Sequence, residues 1–151
     1  MTDRWIDLRE LLLGLPASPI WALESGAEAV AVKALRERGF QIHFLEGSRI
    51  TSEGTFFREA ARCFDFPDYA GLNWDAFNEC LGEFLEEEPP LVAVIWRDSS
   101  ESALRHLPTF VAAVHLLLTA SQAVRDETVA VTQLSVFLMG EGGGFVQVSP
   151  P

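Results

Sequence analysis

Two rhythms of apolar and polar positions alternate along the chain. Short branched or aromatic runs at residues 20–23 (IWAL), 40–45 (FQIHFL), 91–96 (LVAVIW) and 129–139 (VAVTQLSVFLM) predict strands. Between them, apolar residues recur three and four positions apart, the helical spacing. Residues 2–13 predict a short helix with Trp5, Leu8 and Leu12 on one side, ended by Gly14 and Pro16. A second helix opens on Ser25 and Glu28, which match a capping box, turns Val30, Ala34 and Ala27 inward, and closes on Gly39. A third follows Ser52 to about Phe64, with Phe56, Phe57, Ala60 and Cys63 buried. Residues 98–104 read as a short helical turn, and Pro108 suits the start of a long helix over 109–124. The run at 91–96 has no polar face, so it predicts a strand buried on both sides, as in a parallel sheet. Strands alternating with helices argue an α/β fold with a mainly parallel sheet of three to four strands flanked by helices. Residues 1–39 stand as an N-terminal extension, a helix and one strand-helix unit. Residues 140–151, ending EGGGFVQVSPP, are expected to fray as a flexible tail.

The stretch from Phe66 to Leu85, FPDYAGLNWDAFNECLGEFL, is built differently from the rest. After a loop with Pro67 and Gly71, Asn73 is the natural N-cap of a helix, and Asp75 falls in its first turn, where a carboxylate is favoured. Phe77, Cys80, Leu81 and Phe84 form an apolar stripe, with Trp74 one turn earlier. The opposite side carries Asp75, Asn78, Glu79, Gly82 and Glu83. Asp75 and Glu79 lie four apart, and like charges at that spacing cost a few tenths of a kcal/mol. Glu83, Glu86, Glu87 and Glu88 crowd the helix end that prefers cations. Eight acids and no Lys, Arg or His occur between Cys63 and Trp96. A wet outer face accounts for an ordinary acidic helix. Local rules broken repeatedly, in one place and with one sign, point to a surface that binds something cationic.

Charge balance sharpens this picture. The 151 residues carry 11 Lys+Arg against 22 Asp+Glu, a formal net charge of −11, which repels nucleic acid and anionic lipid and speeds encounter with basic partners. With 48% hydrophobic and 22% charged residues, the chain suits one globular domain with its own core. Cys63 and Cys80 read as core thiols, although their spacing leaves a disulfide open. The N-terminus lacks the features of a signal peptide, and the apolar stretch at 107–121 is too short to span a bilayer, so a soluble protein of a reducing compartment is expected. No P-loop, dinucleotide fingerprint or metal-ligand cluster is present, and no cofactor or metal is expected. Gly142, Gly143 and Gly144 follow a strand, but no helix follows them to complete a phosphate cradle. His43 and His115 read as core or boundary histidines and His106 as a surface one. Asp75 and Glu79 suit acid/base chemistry in principle, yet a helix face without a pocket gives catalysis little support.

The motif Pro67-Asp68-Tyr69-Ala70-Gly71-Leu72-Asn73-Trp74-Asp75-Ala76, continued by Glu79-Cys80-Leu81, resembles the signature of the barstar family, small acidic inhibitors of secreted barnase-type bacterial ribonucleases. The resemblance covers about residues 40–139. It implies an intracellular, cytoplasmic antitoxin or immunity protein, monomeric when free, that is not an enzyme and touches neither nucleic acid nor membrane directly. Its loop and helix would plug the active site of a basic extracellular ribonuclease, with carboxylates in place of substrate phosphates. Tyr69, Gly71, Asn73, Trp74, Asp75, Asn78 and Glu79 match the family's contact positions. Glu79 falls where the family has its central phosphate-mimicking acid, often Asp, and Phe84 falls at an aromatic position at the helix end. For Trp74, core packing beside Phe77 stands equally open; for Tyr69 the interface is the favoured reading. Two departures concern the partner. Asn78 replaces an aromatic of the best-known inhibitor, and no acid between Glu101 and Asp126 supplies the long-helix contact that inhibitor makes. A barstar-fold module that binds another basic toxin or a regulatory protein is therefore the alternative.

Overall fold

The computed structural model describes residues 5–67, 71–87, 91–125 and 132–151. Four strands, β1 (Trp21–Glu24), β2 (Gln41–Glu46), β3 (Leu91–Arg97) and β4 (Gln133–Gly140), form one all-parallel sheet in the order β1-β4-β3-β2. Among the described residues five α-helices accompany it: α1 (Glu28–Arg38), α2 (Glu53–Phe64), α3 (Trp74–Glu87), α4 (Ser99–Arg105) and α5 (Leu107–Arg125). The α/β class, the parallel pairing and the count of strands agree with the sequence pattern. The first three residues of the run expected at 129–139 lie outside the described residues.

Side chains alternate across a strand, so a run without polar positions feeds two cores at once. Val92, Val94 and Trp96 of β3 join one core with Phe56, Phe57, Ala60, Phe77, Leu81, Ala113 and Leu117 of α2, α3 and α5. Ala93 and Ile95 point the other way and join Leu8, Leu12, Leu15, Ala31 and Leu35 of the N-terminal region. Residues 5–39 thus supply much of the cover of the second sheet face. Glu28 of α1 and Arg97 of β3 lock that cover in place. Arg97 donates to both Glu28 carboxylate oxygens (Nε–Oε1 3.1 Å, Nη2–Oε2 2.8 Å) and to Glu46 Oε2 (2.8 Å), with its guanidinium 4.0 Å above the centre of the Phe44 ring.

Several local expectations give way to such long-range contacts. In place of the helix over 2–13, the described part holds only a 3₁₀ turn, Leu8–Glu10, capped by the Asp7 carboxylate on the Arg9 N–H at 3.0 Å. The Gln133 amide holds both the Ile6 N–H (2.8 Å) and C=O (3.0 Å), and Leu13 pairs with Ser149, so the chain is tied down on either side of the turn and a longer helix does not form. Gly14 turns the chain at φ 103°, where a Cβ would sit 2.7 Å from the Gln147 carbonyl oxygen. The Ser25–Glu28 capping box does not form: a 3₁₀ turn over Ser25–Ala27 precedes α1, and Glu28 serves Arg97 instead. Ala27, Ala31 and Leu35 are the buried residues here, with Val30 and Ala34 only half-buried. Gly39 does end α1 in the left-handed conformation, φ 101°.

Residues 141–151 do not run off as a frayed tail. Val146 bridges to Leu23 of β1, and Ser149 exchanges backbone hydrogen bonds with Leu13 at 2.9 and 3.0 Å. His115 lies exposed on α5 and not at a core boundary. His106 is half-buried, and its Nδ1 accepts the Thr109 N–H (3.3 Å) at the start of α5, which begins two residues earlier than the spacing suggests.

Candidate acidic binding face

The site is built on α2 before α3. Ser52 caps α2 through a capping box with Thr55, and the buried side of α2 presents Phe56, Phe57, Ala60, Cys63 and Phe64. On that aromatic bed α3 begins. Asn73 accepts the Ala76 N–H at 2.8 Å, the N-cap expected from sequence. Gly71 lies close under this cap: a Cβ there would come 3.0 Å from the Asn73 side-chain nitrogen and 3.4 Å from the Ala76 Cβ. Tyr69, with Asp68 and Ala70, falls outside the described residues.

The helix has the two faces its sequence implies. Phe77, Cys80, Leu81 and Leu85 are buried. Asp75, Asn78, Glu79, Gly82, Glu83 and Glu86 are exposed. Among the described residues, no ion pair or side-chain hydrogen bond engages Asp75, Asn78, Glu79, Glu83 or Glu86. The negative charge of this face is therefore uncompensated locally, while the described carboxylates that pair, such as Glu28, Glu46 and Glu59, lie elsewhere.

Two of the candidate residues lie between the faces. Trp74 is half-buried, its ring stacked 5.4 Å from Phe56 and edge-on 4.8 Å from Phe57, and its Nε1 donates to Glu53 Oε2 at 2.9 Å. Phe84, also half-buried, meets His43 at 5.0 Å and Phe64 at 5.1 Å. His43 Nδ1 donates to the Cys63 carbonyl at 3.2 Å, so this histidine is a boundary residue. A shallow groove opens beside the acidic face, lined by Gln41, His43, Phe64, Phe66, Glu83 and Phe84, which the linear pattern does not reveal because its wall is shared between β2, the end of α2 and α3. Leu72, 51% exposed, is an apolar neighbour of the acidic face that periodicity also misses, since it precedes the helix.

Both cysteines are free and buried. Burial pushes the Cys63 thiol up to about 12. Burial, and then the carboxylates of Glu83 and Glu79, push Cys80 up as well. Thiols held protonated in this way are poor nucleophiles. Among the described residues no three His, Cys, Asp or Glu side chains converge as a metal-ligand group, and no helix is long and apolar enough to cross a membrane.

A small parallel α/β fold thus presents an acidic helix face that no described cation pairs. The model of the family described as Barstar (barnase inhibitor) matches residues 40–135. The matched segment runs from the start of β2 into β4 and contains α2, α3 and the whole acidic face, so the chain belongs to the barstar family. Family membership carries the general character of the activity, inhibition through binding another protein. A search of curated proteins finds no match.

Proposed function

We propose that this protein is a cytoplasmic inhibitor of a basic secreted ribonuclease and that the loop before α3, with the exposed face of α3, enters the nuclease active site. Glu79 and Asp75 stand in for substrate phosphates, and Asn73, Gly71, Asn78 and Tyr69 complete the contact surface. The observation that carries this reading is the exposed face of Asp75, Glu79, Glu83 and Glu86, unpaired among the described residues, inside the family-matched segment. A basic cleft that desolvates these groups supplies the cations they lack, and the net charge of −11 accelerates the encounter. Phe84 borders the contact from the groove side. Trp74 supports it mainly from beneath, through its packing on Phe56 and Phe57.

Inhibition of a purified barnase-type ribonuclease at low and at moderate salt tests this. Tight inhibition that weakens with salt is expected, because exposed charges are screened. Glu79→Ala and Asp75→Ala should each weaken binding by about 2 kcal/mol or more, as central interface residues do. Glu79→Ala should fold as well as the parent or slightly better, since the i,i+4 repulsion is relieved, while Asp75→Ala, which also gives up a first-turn carboxylate, should lose no more than about 1 kcal/mol. Full inhibition by both variants would refute the assignment. Asn78, and the lack of an acid between Glu101 and Asp126, favour one second reading: the same face binds a different basic toxin. Failure to inhibit any barnase-type enzyme, together with capture of a basic non-nuclease partner that Glu79→Ala abolishes, would select it.

A further inference from the structure

An edge strand of a parallel sheet leaves the N–H and C=O groups of alternate residues without a strand partner, and such edges template pairing with other chains. Among the described residues the two edges are β1 and β2. The β1 edge is closed by the chain itself. A single residue does it: Val146 N–H donates to the Ala22 carbonyl, and Val146 C=O accepts the Glu24 N–H, both at 2.9 Å.

At the β2 edge no described strand lies alongside, yet the same pair of backbone groups is occupied. Arg62 Nη2 donates to the Phe44 carbonyl at 2.9 Å, and Glu59 Oε2 accepts the Glu46 N–H at 2.7 Å. Residues two apart turn these groups to the same side of the strand. One donor for the carbonyl of a residue and one acceptor for the N–H two residues on is what one residue of a parallel neighbour presents, and it is what Val146 presents to Ala22 and Glu24. The two side chains of α2 are tied to each other: Arg62 Nε donates to Glu59 Oε1 at 2.9 Å and Nη2 to Glu59 Oε2, with Arg49 Nη1 3.7 Å away. Glu59 is only 2% exposed at its side chain. Glu59 is the buried member of the pair, Arg62 being half exposed, and a carboxylate is costly to desolvate even with such a partner. Its placement against the strand edge therefore asks for a role other than stability.

We propose that the Glu59–Arg62 pair is an edge seal: it acts as a surrogate strand residue that occupies the outward backbone groups of β2 and prevents a second copy of this chain from adding a strand there. The edge it guards contains the half-buried apolar residues Ile42 and Phe44, which would give such pairing an adhesive surface.

The test is the oligomeric state of the full-length protein by sedimentation over a wide concentration range. The Glu59→Leu/Arg62→Leu double variant, folded by circular dichroism, should shift from monomer to dimer mass as concentration rises, and it should bind a synthetic peptide of residues 40–47 that the parent ignores. Glu59→Gln keeps an acceptor for the Glu46 N–H and should stay monomeric, which separates the seal from a general loss of packing. A folded double variant that remains monomeric and ignores the peptide overturns the proposal. If the double variant does not fold, Arg62→Leu alone carries the test: peptide binding supports the seal, and its absence overturns it. The readout needs no ribonuclease, so it stands or falls apart from the proposed inhibition.

Discussion

Trp74→Ala separates support of the acidic face from direct contact with a partner. Its ring stacks on Phe56 and meets Phe57 and Phe77 edge-on, at centroid distances of 5.4, 4.8 and 6.1 Å. Phe56 is fully buried and also contacts Trp96, so the perturbation reaches the core directly. Truncating a fully buried Trp to Ala costs about 3–5 kcal/mol. Trp74 is half-buried, which brings the transfer and cavity loss to about 2 kcal/mol, and lost aromatic geometry with Phe56 and Phe57 adds up to about 1 kcal/mol. The bond from Nε1 to Glu53 is solvent-exposed and contributes at most about 0.5 kcal/mol. A total near 2–3 kcal/mol is expected in urea denaturation followed by far-UV circular dichroism. Trp74→Phe keeps the ring contacts and should lose less than about 1 kcal/mol. The folded fraction of either variant should inhibit a ribonuclease far better than Glu79→Ala does. A stability loss below about 1 kcal/mol for Trp74→Ala, combined with abolished inhibition, would refute the packing argument and make Trp74 an interface anchor.

Arg97→Met should cost about 1–2 kcal/mol in the same denaturation assay, because Glu28 and Glu46 lose their shared partner while partial exposure of the site screens the loss. The Cys63 thiol is raised from 9.0 to about 12 by burial, so the folded protein keeps a proton that the unfolded chain releases. Stability should be unaffected by this group below pH 9, then fall by up to about 1.4 kcal/mol per pH unit as pH rises toward 12. Cys63→Ala should flatten that alkaline limb, measured as urea midpoints against pH. Residues 40–151 expressed without the first 39 should bind a hydrophobic dye and self-associate, since Ala93, Ile95, Phe137 and Met139 lose the cover of Leu12, Ala31 and Leu35. A monomeric, dye-silent fragment would show that the second face needs no cover.

What could be read in the chain without its structure is what depends on neighbours a few positions away. The unbroken apolar run of β3 implies a strand buried on both faces. The stripe of Phe77, Cys80 and Leu81 sets the inward side of α3, and that spacing alone puts Asp75 and Glu79 together on the outward side. Asn73 as a cap follows from the chemistry of its own side chain. Tertiary structure decided the places where distant residues compete for the same groups. Residues 5–13 keep only a 3₁₀ turn because Gln133, Ser149 and the second sheet face tie the chain down on either side of it. Glu28 leaves a capping box that was available in sequence because Arg97 offers it two charge-assisted bonds. The Gly-rich end becomes a strand partner because β1 presents an open edge, and Glu59 tolerates burial because Arg62 and the β2 backbone meet it there. Local periodicity encodes which way a side chain points. Which partner it meets depends on chain segments tens of residues away, and only the folded chain brings them together.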